Sequence, residues 1–245
     1  MPWKIGLLGT GNLASFWARE ITKDKGNRLY VKGSDAFKTS AFCRSYTSQP
    51  LVTPHSVDFY LVAVQNDAID SVIRELPTSK PVFICAGFHQ ASSPHVGYLY
   101  PLQSLHKENL PDIREIPFLI DAKKPLRAVG EAFITSLNAS FKNVTTEERL
   151  RCHLAAVFIN NFGYLILKEG MQLIPGNIEP KMFEPILKNT LANTLQTADL
   201  QTGPARRKDL LMMEKQLELL EKVDPRLVKL YRELSQFILQ KYHEL

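Results

Sequence analysis

Three cysteines in 245 residues, Cys43, Cys85 and Cys152, are too few and too far apart for a disulfide framework or a structural zinc site. Their use fits a reducing compartment. The six histidines are scattered with no H-x-x-x-H spacing, so no metal-ligand cluster is expected. A G-x-S-x-G nucleophile signature is missing. No continuous apolar run approaches the roughly 20 residues of a membrane span. The first short run, residues 5–8, leads straight into a glycine turn rather than a signal segment. Positive charge is in mild excess, formally +5, and is spread out apart from Arg206-Arg207-Lys208. That pattern lacks the basic stripe with interleaved aromatics of a nucleic-acid binder and suits anionic small ligands. A soluble, cytoplasmic chain with no nucleic-acid partner and no membrane association is expected.

What the chain has is ordinary globular composition, 44% hydrophobic and 22% charged, enough for a packed core. Residues 3–8, 29–32, 59–64, 81–85 and 116–120 read as short buried strands; residues 13–22, 35–46 and 68–76 read as helices. Strands alternating with helices imply crossover connections and a mainly parallel sheet. The pattern changes near Val144. Thr145 and Glu148 then form a capping-box signature, and helical periodicity fills 146–171, 180–200, 207–222 and 225–243. Pro175-Gly176, Thr202-Gly203-Pro204 and Asp224-Pro225 break these helices. The fold class is therefore α/β: a doubly wound parallel sheet over 1–144, followed by an all-α domain over 145–245.

Gly9-Thr10-Gly11-Asn12-Leu13-Ala14 fits G-x-G-x-x-G/A, after a strand and opening a helix. The first glycine permits the tight turn, the second lets backbone approach a pyrophosphate, and the small third residue lets helix pack on strand. Unpaired N–H groups at the helix start suit phosphate. The alternative is a glycine turn kept for packing alone. An NAD site usually carries Asp or Glu at the end of the second strand for the ribose 2′-OH. Here the chain reads Lys32-Gly33-Ser34, and Asp35 comes late. Lys32, Ser34 and Lys38 can serve a 2′-phosphate, so NADP(H) is expected rather than NAD(H); otherwise both lysines are simply solvated. Two further loops sit at strand ends. Val64-Gln65-Asn66-Asp67 is one, with Asn66 or Asp67 as alternative helix caps, and Ala86-Gly87 is the other.

Candidate chemistry lies on the helix after Thr145. His153 and Asn160 are seven residues apart and fall nearly on one line of its surface, with Asn161 and Tyr164 flanking it. His153 is a candidate general acid, because an ordinary histidine titrates near neutrality, and Asn160 a candidate positioning group. A satisfied histidine at a helix interface is the alternative. Arg207 can bind an anionic substrate group through its planar fork or pair with Asp209. Apolar residues at helical spacing from Leu217 to Ile238 read as core and dimer interface.

Several of these segments together resemble the Rossmann-like and DUF2520 domain-containing family, relatives of pyrroline-5-carboxylate reductase and of 6-phosphogluconate and ketopantoate reductase type enzymes. The resemblance covers nearly the whole chain. It rests on residues 5–14, Val64 to Ile69, Ala86-Gly87, Tyr100 to Leu105, His153 to Val157 with Asn160-Asn161, and Thr202-Gly203-Pro204 with Arg207 and Asp209. It implies an NADP-binding domain, a C-terminal helical domain of the 6-phosphogluconate dehydrogenase kind, and a homodimer. The chain departs from the family at Tyr100, where His is usual, near Ser34, where an Arg is usual, and at Lys208, where Gly is usual. The expected activity is hydride transfer to or from a small carbonyl, hydroxyl or imine substrate held between the two domains. Gln103, Asn161, Arg207 and Asp209 are the expected substrate contacts. An NADP(H)-binding regulator or scaffold without catalysis is the alternative.

Overall fold

A computed structural model describes residues 2–52, 56–77, 79–91, 93 and 95–243. Eight strands form one sheet: β1 Lys4–Leu8, β2 Arg28–Lys32, β3 Gln49–Pro50, β4 Phe59–Val62, β5 Val82–Ile84, β6 Val96–Pro101, β7 Pro117–Asp121 and β8 Ser140–Asn143. Their order is β3-β2-β1-β4-β5-β6-β7-β8, parallel throughout except between β6 and β7. The first helices are α1 Asn12–Lys23, α2 Ala36–Ser45, α3 Ile69–Arg74 and α4 Leu126–Ser136. The order reverses between β1 and β4, which opens a crevice beyond their carboxyl ends.

Both faces of the sheet are covered, so its central strands are apolar throughout. Phe59 and Leu61 of β4 join one core with Ile5, Leu7, Phe83, Trp17 and Phe133. Tyr60 and Val62, the alternate residues, join the other with Val82, Ile84 and Tyr98. On the first face the fully buried Trp17 stacks obliquely on Phe118 and Phe133. Its indole N–H donates to Cys85 Sγ at 3.2 Å. Burial pushes that thiol up to about 12, so Cys85 is a packing residue rather than a nucleophile.

Three elements escape the sequence pattern. Residues 100–105 read as one loop segment, yet Tyr100 and Pro101 close strand β6. Gly97 and Pro101 look like strand breakers; in fact a Cβ at Gly97 would crowd Ala122 and Leu126, and the proline stands at the strand's last position. Strand β8 is exposed at every residue and carries no apolar alternation. Helix α4 was not anticipated between the strands on either side of it.

Contacts divide the chain into Met1–Phe162 and Gly163–Leu245, a division inside one continuous helical run, Thr146–Gln172. The change from α/β to helical pattern comes earlier, at 144/145. That run comprises α5 Thr146–Ala156, a π-helical turn Val157–Phe162 and α6 Gly163–Gln172. By length and composition it is the one helix among the described residues long and apolar enough to cross a membrane. A search for unbroken apolar runs misses it, because Asn160-Asn161 and Lys168-Glu169 interrupt it. The second unit continues with α7 Glu184–Thr194, α8 Pro204–Arg207, α9 Leu210–Val223 and α10 Val228–His243. Helix α7 stops short of the expected residue 200. The chain turns there around Asp199, whose carboxylate accepts from the Gln201 amide and the Tyr242 hydroxyl. Lys208, where the family resemblance leads one to expect glycine, has φ +57° in the left-handed region.

Gly9 has φ +121°, and a Cβ there would run into the Ala63 carbonyl; around Gly11 nothing lies within 4 Å of an added Cβ. Gly9→Ala is therefore expected to destabilise the first unit by more than about 2 kcal/mol. Gly11→Ala is expected to shift the melting temperature little. Thermal melts followed by circular dichroism compare the two.

Candidate functional site

The turn between β1 and α1 fixes the first cleft. The Gly9 N–H donates to the Lys32 carbonyl at 2.9 Å, which ties the turn to the end of β2. Gly11 stands at the N-cap of α1 with no side-chain cap, and the first turn of the helix holds no acidic residue. The opening amides of α1 are thus left to a ligand, and the helix dipole favours an anion there. The cleft, about 770 Å³, is lined by Gly9, Thr10, Gly11, Lys32, Gly33, Ser34, Val64, Gln65, Asp67, Ala68, Ser71 and Glu75 among others. It lies at the reversal of strand order between β1 and β4, and Gly11 offers open space in front of the backbone. These features fit a bridging diphosphate.

Of the expected cofactor residues, Gly9, Thr10, Gly11, Ser34, Val64 and Gln65 come together in this cleft. Asn12, Leu13, Ala14, Lys38, Asn66, Ala86 and Gly87 are not among its lining residues. Ala14 is fully buried and serves the packing of α1. The Asn12 side chain accepts from the Lys107 amide at 3.4 Å. Neither Asn66 nor Asp67 caps the following helix; the 3-10 turn over 66–68 and α3 both start without a side-chain cap. The Asp35 carboxylate is occupied, accepting from the Lys38 amide at 2.6 Å as the N-cap of α2.

A second cleft, about 580 Å³, lies against α5 and is lined by Tyr100, Leu102, Gln103, Ser104, Cys152, His153, Ala155, Ala156, Val157, Ile159, Asn160 and Asn161. It gathers His153, Asn160, Asn161 and Gln103. Both asparagines lie on the π turn. His153 Nδ1 lies 3.1 Å from the Tyr100 hydroxyl. Burial pushes the Tyr100 phenol up, and burial together with the Arg149 charge pushes the His153 imidazole down. The Tyr100 O–H and the Nδ1 edge of the His153 ring share this hydrogen bond, and the tautomer of the imidazole decides which of the two donates. His153, the expected general acid, thus sits in this cleft with its pKa below the ordinary histidine value. Gly87 backs the pair, and any Cβ there would overlap both the imidazole and the phenol.

Arg149, one helical turn before His153, is fully buried. Its Nε donates to Asp121 Oδ2 at 3.0 Å, and its two terminal nitrogens donate to the carbonyls of Gly87 and His89. The guanidinium lies 3.6 Å over the Tyr98 ring. One side chain thus joins α5 to β6, β7 and the loop after β5. Sequence reasoning missed it, though an arginine four residues before a candidate histidine was a readable signal. Tyr100 stands out in the sequence only as a departure from the family's histidine. Glu75 carried no sequence signal at all.

Arg207 and Asp209 belong to the second unit. Asp209 caps α9 by accepting from the Met212 amide at 3.1 Å, and no ion pair joins it to Arg207 among the described residues. No metal-binding group of His, Cys, Asp or Glu occurs among the described residues.

Arg149→Met leaves Asp121 and two carbonyls unanswered inside the protein, and is expected to cost about 3–5 kcal/mol in denaturant unfolding. His153 adds a pH dependence with a definite sign. Its folded pKa lies below its unfolded value, so between the two the unfolded chain binds more protons. Its contribution is complete above about pH 6.5 and is lost as pH falls through the folded value. Between pH 7 and pH 5, the melting temperature of the wild-type chain should therefore drop further than that of His153→Gln.

Solved structures share this fold. A Bacteroides fragilis protein proposed as an NADP oxidoreductase is 25% identical, with 98% of each chain covered and a TM-score of 0.79. The 1-pyrroline-5-carboxylate reductase of Streptococcus pyogenes, 16% identical over 100% of this chain and 99% of its own, gives 0.60. An Aspergillus terreus imine reductase in complex with NADPH4 and dibenz[c,e]azepine, 12% identical over 96% and 94%, gives 0.63. The last two likenesses carry the fold. No curated protein matches in sequence. The model of the family described as domain of unknown function DUF2520 matches residues 116–238. With half of its length matched, the chain belongs to that family.

Proposed function

We propose that this protein is an NADP(H)-dependent oxidoreductase acting on a small carbonyl, hydroxyl or imine substrate. The observation that carries the reading is the uncapped start of α1 behind an open Gly11, at the point where the strand order reverses. The Bacteroides fragilis relative supports the cofactor, and the two reductases of the same fold support a carbon–nitrogen double bond as substrate. Gly9, Thr10 and Gly11 would hold the diphosphate. Ser34 and Lys32 would face the adenosine ribose, with a basic residue rather than a carboxylate at the end of β2 favouring NADP(H). A bound nicotinamide dinucleotide supplies or accepts the hydride.

The chain's own part is proton handling and orientation. Tyr100 keeps its proton through the physiological range, and by donating it in a hydrogen bond to His153 Nδ1 it would leave the ring proton on Nε2. Proton delivery to a reduced nitrogen or oxygen then runs from this pair. Asn160, Asn161 and Gln103 supply neutral donors and acceptors that orient a substrate in the same cleft. Three unpaired thiols support a cytoplasmic setting. A homodimer is part of the proposal: α6, α7 and α9 bury no residue within the single chain, and side chains such as Leu195, Leu211 and Phe237 are exposed.

Calorimetric titration with NADPH and NADH tests the cofactor site. Gly11→Asp should abolish binding while the chain stays folded, and undiminished binding would refute the assignment. Against an NADPH-consumption panel of imines and carbonyls, Tyr100→Phe and His153→Gln should each lower kcat by about 10²-fold with dinucleotide affinity retained. Binding with no turnover of any panel member favours the regulator instead. Light scattering coupled to size exclusion should give twice the chain mass.

A further inference from the structure

Lys32 ends β2, about twenty residues beyond the glycine turn, where dinucleotide-binding sheets place the residue that reads the adenosine 2′-position. It is not free to do so. Its Nζ lies 2.9 Å from Glu75 Oε2, and both residues line the diphosphate cleft. Glu75 follows α3, and its amide donates to the Val72 carbonyl at the end of that helix. A carboxylate at a helix C-terminus meets the unfavourable end of the dipole, so a lysine partner is the natural counter-charge. The two side chains are 53% and 63% exposed, so the pair is set by charge and can re-form around a ligand. Asp35, the other acid near the end of β2, is committed to capping α2.

From this geometry we infer that Glu75 is a specificity-determining residue: by holding Lys32 it restrains the cleft's preference for a 2′-phosphorylated dinucleotide over the unphosphorylated form. The inference rests on the cleft at Gly9 to Gly11 holding a dinucleotide. A 2′-hydroxyl is neutral and leaves the Lys32–Glu75 pair in place, with either head able to bond it. A 2′-phosphate needs the Lys32 ammonium for itself, and it arrives beside a carboxylate of like charge. Glu75 thus opposes the phosphate twice, by occupying its partner and by repelling it. Ser34 and the rest of the turn are indifferent to that contest, because Gly33 and Thr39 tie the backbone independently.

The test is calorimetric titration of the full chain with NADPH and NADH at low ionic strength, on wild type, Glu75→Gln, Lys32→Met and the double variant. Glu75→Gln should raise the NADPH-to-NADH affinity ratio by about threefold to tenfold, through NADPH, and added salt should shrink the gain. Lys32→Met should lower the ratio, and Glu75→Gln should raise it less on that background than in the wild type, since only the like-charge repulsion then remains to be relieved. A ratio that Glu75→Gln leaves unmoved overturns the inference, as does an equal rise with and without Lys32. Failure of the wild-type chain to bind either dinucleotide overturns the oxidoreductase reading with it. Binding of both with no shift overturns this inference alone.

Discussion

A guanidinium removed from water must be answered on every side, and around Arg149 the answers come from separate parts of the chain. Asp121 on β7 supplies the charge, the carbonyls of Gly87 and His89 supply acceptors from the loop after β5, and the Tyr98 ring on β6 supplies a π face. Such a group contributes little as an isolated pair but strongly penalises any arrangement that leaves it incomplete. The consequence is geometric. Helix α5 can dock in one rotation only, and that rotation sets His153 against Tyr100 over Gly87. The Tyr100–His153 pair is placed by a residue that does not itself line the cleft.

The two clefts depend on different physics. At the glycine turn the active groups are main-chain amides, fixed by the start of a helix and by hydrogen bonds from Gly9 to β2; side chains there need mainly to stay out of the way. Against α5 the active groups are side chains whose protonation is set by burial and by one neighbouring cation. The first site tolerates wide sequence variation as long as the glycines remain. The second depends on a particular trio of residues, Gly87 from the loop after β5, Tyr100 from β6 and His153 from α5.

That contrast explains what was legible in the sequence. The strand–turn–helix unit at Gly9 announces itself locally, because turn, phosphate site and helix start share six consecutive residues. The capping box at Thr145 and Glu148 is equally local, and the structure forms it as the spacing predicts. Strand β6 was hidden by Gly97, which leaves room for Ala122 and Leu126 far along the chain, and by Pro101 at the strand's last position. The π turn has no proline or other local signature in its sequence, so helical counting puts His153 and Asn160 on the wall of one cleft, as the structure does, without the winding between them. Arg149, Tyr100 and Glu75 matter through partners 28, 53 and 43 residues away, and no periodicity reports such distances.

Gly87 carries a consequence for how this cleft can diverge. The imidazole and the phenol meet in the volume that a single methyl group would fill, so the wall of the cleft admits hydrogen there and nothing larger. A relative that swaps Tyr100 for a shorter ring gains slack at 87, whereas one that keeps the tyrosine keeps the glycine too. Positions 87, 100 and 153 should drift as a linked set, which makes their joint identity, rather than any one of them, the mark by which chains with this chemistry can be sorted from those without it.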